Sequence, residues 1–210
     1  DGLVAGEVKV PTKGGDMVAY RAMPATGGPF PTIIVVSEIW GVHEHIRDVA
    51  RRFAKLGYFA IAPELFARQG DAGKVADVQA LIRDIVAKTP DAEVMADLDA
   101  TVAFAKASGK ADTSRLGITG FCWGGRTTLM YAAHNAGVKA AVPWYGPVAR
   151  NYHQGDKTPL DVAPQIKAAV LGLYGGDDPG IPNDTVEKMF AALKAAGNAR
   201  AEVVIYPGTP

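Results

Sequence analysis

Apolar positions in this chain switch between a two-residue and a three-to-four-residue repeat, and the switching outlines the fold. Leu3 to Val10 alternates apolar with polar residues, Pro11 to Asp16 has the composition of a turn, and Met17 to Ala22 reads as a second strand, together an edge hairpin. A Pro/Gly loop covers Pro24 to Pro31. Thr32-Ile33-Ile34-Val35-Val36 is a continuous β-branched run, the signature of a strand buried on both faces. From His45 to Leu56 the apolar residues Ile46, Val49, Phe53 and Leu56 share one helical face, and Gly57 follows the end. The cycle then repeats. Tyr58 to Ala62 is a strand, Val75 to Ala87 a helix, and Pro90-Asp91 a fresh start. Ala92 to Ala107 is a helix with Val94, Leu98, Val102 and Ala105 inward, and Gly109 terminates it. Arg115 to Thr119 is a short buried strand, Arg126 to Ala133 a helix, and Ala140 to Tyr145, Ala169 to Tyr174 and Ala201 to Tyr206 are further strands. Before the last strand, Asp184 is placed to cap a helix from Thr185, with Glu187 at capping-box spacing and Gly197 at its end. Strands alternating with helices predict a single α/β domain over residues 1–210, with a mostly parallel sheet and helices on both faces.

Composition narrows the function. Apolar residues make up 48% of the 210, enough for a sizeable core. The formal net charge of zero gives no reason to expect nucleic acid or an acidic membrane surface as a partner. No apolar run approaches membrane-spanning length. The expected compartment is the cytoplasm, or the periplasm if an N-terminal signal preceded Asp1. One cysteine excludes an internal disulfide.

That cysteine stands where chemistry is expected. In Gly120-Phe121-Cys122-Trp123-Gly124-Gly125 a predicted strand turns into a predicted helix, with glycines two before and two after a nucleophile. This is the nucleophile-elbow pattern with Cys in place of Ser. The nucleophile sits on strained backbone, and side chains at the flanking positions would collide across the turn. The following helix points its free N–H groups and positive dipole end at the sulfur, which favours thiolate. A buried structural cysteine would need none of these features. Two other strand ends carry acids: Glu38 in Ser37-Glu38-Ile39-Trp40-Gly41, and Asp177-Asp178 after Tyr174-Gly175-Gly176. The order nucleophile, then acid, then a histidine after the last strand is that of α/β hydrolases.

At this point the chain resembles the dienelactone hydrolase family of α/β hydrolases. The matching stretches are Glu38-Ile39-Trp40-Gly41-Val42-His43, Ala62-Pro63-Glu64-Leu65, Gly120 to Gly125, Trp144-Tyr145-Gly146 and Tyr174-Gly175-Gly176-Asp177-Asp178. The resemblance implies Cys122 as nucleophile, Asp178 as the acid that orients a catalytic histidine, and Glu38 beside the thiol controlling its ionisation. It also implies an oxyanion hole from the backbone N–H groups of Ile39 and Trp123, and the second of these follows from elbow geometry as well. Asp177 competes with Asp178, but the family's acid ends a Gly-Gly-x-Asp turn, which favours Asp178. The family's histidine follows a Tyr-Pro-x-x-x segment. Tyr206-Pro207-Gly208-Thr209-Pro210 supplies that segment, so the sequence is expected to be truncated, with the histidine immediately beyond Pro210 and a closing helix after it. His43 and His45 are expected at a helix start or on the surface, and His134 in a structural role. His153 falls in a polar loop.

Arg68, Arg126 and Tyr145 are candidate substrate contacts. Arg68 sits in a loop where a cation can receive a carboxylate, Arg126 follows the elbow glycines with a surface acid as its alternative partner, and Tyr145 ends a strand. Trp40, Trp123 and Trp144 are expected around an apolar pocket. A thiolate is itself a good leaving group, so activated esters, enol lactones or thioesters suit a cysteine better than peptides do. The expected substrate is a small ester or lactone, handled by a monomer or small homo-oligomer. No metal or organic cofactor is implied by any ligand cluster or phosphate-binding fingerprint. Two other readings stand beside the hydrolase: an inactive hydrolase-fold protein that binds a small molecule or partner, and a redox-sensing thiol, against which the lack of a second cysteine argues.

Overall fold

In the computed structural model, which describes residues 2–210, eight strands form one sheet in the order β1-β2-β4-β3-β5-β6-β7-β8. They are β1 (Leu3–Thr12), β2 (Gly15–Pro24), β3 (Phe30–Val36), β4 (Phe59–Pro63), β5 (Ala111–Phe121), β6 (Val138–Trp144), β7 (Ala169–Gly175) and β8 (Ala201–Tyr206). β1, β2 and β4 pair antiparallel, and every pair from β4 across to β8 is parallel. The hairpin strands run further than the alternation predicted, pairing from Leu3↔Pro24 to Thr12↔Gly15.

The helices are α1 (Glu44–Lys55), α2 (Val78–Asp84), α3 (Asp91–Ala107), α4 (Trp123–His134), α5 (Pro159–Val162) and α6 (Asn183–Ala195). They lie on both faces of the sheet, as expected, but unequally. α1 alone packs on one face, placing Ala50 and Ala54 on Ala22 and Ala60, and Ile46 on Val35 and Ala62. The other face holds the main core, where Ile34, Val36, Ile61, Ile118 and Val170 meet Leu98 of α3, Leu129 of α4 and Phe190 of α6. Odd and even residues of β3 thus serve different cores, which is why its last four residues are all apolar. On the α1 face the β6–β8 region stays open, with Trp144, Leu171, Val204 and Tyr206 exposed.

Two predicted elements are corrected. The helix expected over Val75 to Ala87 is shorter: Asp77 caps α2 by accepting from the Ala80 amide, and Ile85 breaks the helical path into a separate turn over 86–88. Asp184 is not the cap of α6. Pro182 holds that position, and Asp184 lies one turn from Lys188, bonded to it at 3.0 Å. An acid in the first turn of a helix is favoured by the same dipole that favours a cap, so the two placements look alike in sequence.

Register decides where the site falls. Val36 pairs with Gly120, Phe121 with Trp144, and Trp144 with Leu173. β3, β5, β6 and β7 therefore end side by side, and the segments leaving them carry Glu38, Cys122, Tyr145 and Asp178. Among the described residues, no helix is long and apolar enough to cross a membrane.

Candidate active site

Cys122 joins β5 to α4 with φ +53° and ψ −117°. Its N–H donates to the Trp144 carbonyl at 3.0 Å, and its C=O accepts from the Arg126 amide at 3.1 Å, so both neighbours pin the bend. A non-glycine residue held there is strained, and it persists because surrounding backbone leaves no alternative. The flanking glycines show how close that backbone is. A Cβ on Gly120 would overlap the Gly124 carbonyl, and one on Gly124 would overlap the Val36 and Ser37 carbonyls. The start of α4 is thereby pressed onto the end of β3, beside the Glu38-Ile39 segment.

The sulfur is half-buried and faces the Trp123 amide. Burial pushes the Cys122 thiol up, the Trp123 amide pulls it down, and the charges of Glu38 and Asp178 push it up further. The pull toward thiolate expected from the helix end is therefore opposed: desolvation and two carboxylates outweigh it. Arg150 is the cation whose charge opposes them. Asp178, not Asp177, is the acid of the pair whose charge reaches the sulfur. Asp178 Oδ1 accepts from the Gly180 amide at 2.7 Å, whereas exposed Asp177 donates its own amide to the Thr209 carbonyl at 2.9 Å.

Glu38 has only 12% of its side chain exposed, and its Oε2 lies 2.8 Å from His43 Nε2. The Ser37 hydroxyl donates to the Glu38 carbonyl, and the Val42 amide donates to Glu64 Oε2 at 2.8 Å, closing the 38–42 loop against the end of β4. Burial pushes the Glu64 carboxyl up. The amides of Ile39 and Trp123 have no backbone acceptor among the described residues. Tyr145 lies close enough to Glu38 and Cys122 to feel their charges. Its backbone is in the left-handed region (φ +38°), its amide donates to Leu173, and partial burial with the Glu38 and Cys122 charges pushes its hydroxyl up to about 12.

The two arginines expected at the substrate are placed elsewhere. Arg126 is fully buried. Its guanidinium makes two bonds to Asp91, at 2.7 and 2.8 Å, and others to the carbonyls of Arg150 and Lys157. Arg68 makes two bonds to the buried Asp97, at 2.6 and 2.7 Å, with further bonds to Glu93 and Thr12. Both are structural clamps. The tryptophans also separate: Trp123 is buried against Phe66, Trp144 stacks near Phe121 on the open sheet face, and Trp40 lines a cleft of about 510 Å³ with His43, Arg47 and Glu64. A smaller cleft of about 180 Å³ lies between Pro147–Arg150 and Gly180–Pro182.

Sequence reasoning missed two residues. His43 stands at the start of α1, as expected, but its bond to Glu38 was not foreseen, although it lies five residues on across Gly41, whose φ of +77° marks a reversal. Arg150 carried no local signal. His134 bonds Asp99 at 2.8 Å on the helical surface, as a structural residue would. Among the described residues, no group of three or more His, Cys, Asp or Glu side chains is placed to hold a metal ion.

Comparison with known proteins agrees with this architecture. The model of the dienelactone hydrolase family matches residues 17–210. A protein of Methylorubrum extorquens, named "putative carboxymethylenebutenolidase", is 62% identical over 208 residues, covering 99% of this chain and 71% of the relative. A protein of Escherichia coli K12 with the same name is 52% identical, covering 99% and 76%. The crystal structure of a "putative dienelactone hydrolase" from Klebsiella pneumoniae subsp. pneumoniae superposes with a TM-score of 0.94 at 52% identity, covering 99% of this chain and 87% of that one. With a strand-to-helix elbow at the centre of an eight-stranded sheet and this degree of identity along nearly its whole length, the chain belongs to the dienelactone hydrolase family of carboxylic ester hydrolases.

Proposed function

We propose that this enzyme hydrolyses small activated esters or lactones by acyl transfer through Cys122. The observation that carries the reading is the positive-φ bend that turns the Cys122 sulfur toward the Trp123 amide between two carboxylate-bearing strand ends. Once deprotonated, the sulfur attacks the substrate carbonyl carbon and forms a C–S bond while the C=O π pair moves onto oxygen. The Ile39 and Trp123 amides, both without backbone acceptors among the described residues, receive that oxyanion. Its collapse breaks the C–O bond, and the leaving alkoxide or enolate takes a proton. Water then adds to the thioester, and the C–S bond breaks to release acid and thiol.

Asp178 orients the general base in this proposal. The acid's turn is packed against the segment after β8, through Gly176 N–H to Tyr206 O and Asp177 N–H to Thr209 O, at 2.8 and 2.9 Å. Glu38 modulates the thiol, Tyr145 borders the substrate, and Arg150 offers an exposed cation to an anionic acyl group. Substrates with good leaving groups fit best, since a tetrahedral intermediate with a poor one expels sulfur instead.

The test compares the full-length enzyme with Cys122→Ala on a panel of aryl esters and enol lactones. A folded variant with kcat lowered by about 10³-fold or more is expected. Unchanged turnover rejects the nucleophile.

A further inference from the structure

We propose that His43 is a positioning residue that holds the Glu38 carboxylate and so sets the reactivity of Cys122. The inference rests on the reading of Cys122 as the functional thiol and adds a residue to its control. It begins from the 2.8 Å contact between His43 Nε2 and Glu38 Oε2. This is the side-chain hydrogen bond that the Glu38 carboxylate makes among the described residues. Glu38 is largely withdrawn from water at 12% exposure, whereas His43 is 37% exposed and open to solvent protons.

The imidazole is itself held in place. His43 donates its amide to Gly41 O at 3.0 Å and accepts from the Arg47 amide at 3.1 Å, which fixes it at the start of α1. Its ring stacks on His45 at 6.2 Å, and His45 meets the edge of Phe121, the residue before Cys122, at 6.1 Å. The other titratable or charged groups around the pair are His45 and Arg47 on α1, Glu7 on β1, Glu64 at the end of β4, Asp71 in the following loop, and Tyr145. Arg47 is already bonded to Glu7 at 2.9 Å and to the Val42 carbonyl. Glu64 accepts from the Val42 amide through Oε2, and its buried Oε1 has no partner among the described residues.

Glu38 acts on the thiol through charge, opposing its ionisation. His43 draws that charge away from the sulfur in either of its forms. As imidazolium it is a counter-ion, and as the neutral Nε2–H tautomer it is a donor to Oε2. Without His43, the carboxylate is buried, uncompensated and free to turn toward the sulfur, and thiolate formation becomes harder.

Cys122 is the chain's one cysteine, so its alkylation by iodoacetamide reads thiolate directly and needs no turnover. Rates are measured from pH 6 to 10 by intact mass in the full-length protein. His43→Ala is expected to slow alkylation at pH 7.5 about tenfold, the equivalent of one pH unit. Glu38→Gln is expected to accelerate it, and adding His43→Ala to Glu38→Gln to change nothing further, because the group through which His43 acts is gone. His43→Gln, whose amide donates to the same carboxylate, is expected to stay within about twofold of wild type and serves if the alanine variant does not fold. A wild-type profile in His43→Ala, or the same slowing in both backgrounds, overturns the proposal. Failure of ester hydrolysis to depend on Cys122 would overturn the hydrolase reading while leaving this coupling measurable.

Discussion

The two sides of the thiol are built differently. On the Glu38 side everything is packed backbone: Gly124 touches the Val36 and Ser37 carbonyls, Glu64 grips the Val42 amide, and the carboxylate ends in a histidine. On the Asp178 side, the acid's own hydrogen bonds among the described residues come from within its turn, through Gly180 N–H and Ile181 N–H. The wall opposite it, residues 146–158, is fastened from behind by buried Arg126. In the proposed reaction, the Glu38 side defines where an oxyanion sits, and the Asp178 side leaves room for a moving proton and a departing group. A nucleophile needs both kinds of surroundings, because donors for developing charge must be fixed in advance whereas substrate and product have to pass.

The sharpest break of this comparison is at the acid. Asp178→Asn keeps the turn bond to Gly180 but removes the charge that orients a histidine, and kcat is expected to fall by about 10³–10⁴-fold. Asp177→Asn is expected to stay within about twofold in the same aryl-ester assay. If the losses are reversed, the acid has been assigned to the wrong residue and the two-sided description fails with it.

Much of this was legible because it is local. Eight strands, the elbow, and the three strand-end residues Glu38, Cys122 and Asp178 follow from runs of a few residues, since β-branched runs and Gly-x-Cys-x-Gly spacing carry their own steric reasons. Arg68 and Arg126 were misread because their partners lie 29 and 35 residues away, and nothing local distinguishes a clamp from a substrate ligand. The balance of influences on Cys122 was only partly legible for a related reason. The helix end is a local feature, while burial and the two acids arrive from other strands. His43 was within reach, since Gly41 turns the loop back on itself.

Next in size is the clamp. Arg126→Met leaves Asp91 at the start of α3 without its two guanidinium bonds and frees the carbonyls of Arg150 and Lys157. Breaking a buried pair from one side costs about 3 kcal/mol, a fall in Tm of about 6–12 °C for a domain this size. Thermal melts followed by circular dichroism measure it. A melt within about 2 °C of wild type would mean that the Asp178-side wall stands without this fastening.

The smallest expected effect separates Arg150 from the other two arginines. Arg150 is exposed, stacks over the Tyr152 ring with its guanidinium carbon 5.9 Å from the centroid, and lines the cleft that borders the Asp178 turn. It carries no ion pair among the described residues, and its charge reaches the sulfur. A cation so placed binds a carboxylate on the acyl part of a substrate and is indifferent to a neutral ester. Because the site is open to water, screening reduces a charge-assisted bond to about 1.4 kcal/mol, or tenfold in affinity. Arg150→Met is therefore expected to raise KM about tenfold for an ester bearing an acyl carboxylate, with kcat within about threefold, and to leave KM for the neutral analogue within about twofold. Added salt should erase the same preference in the wild-type enzyme, since exposed charges are screened over about 10 Å at 0.1 M. Equal changes in both KM values would show that Arg150 shapes the wall rather than reading charge, and the Asp178 side would then lose its role in choosing substrate.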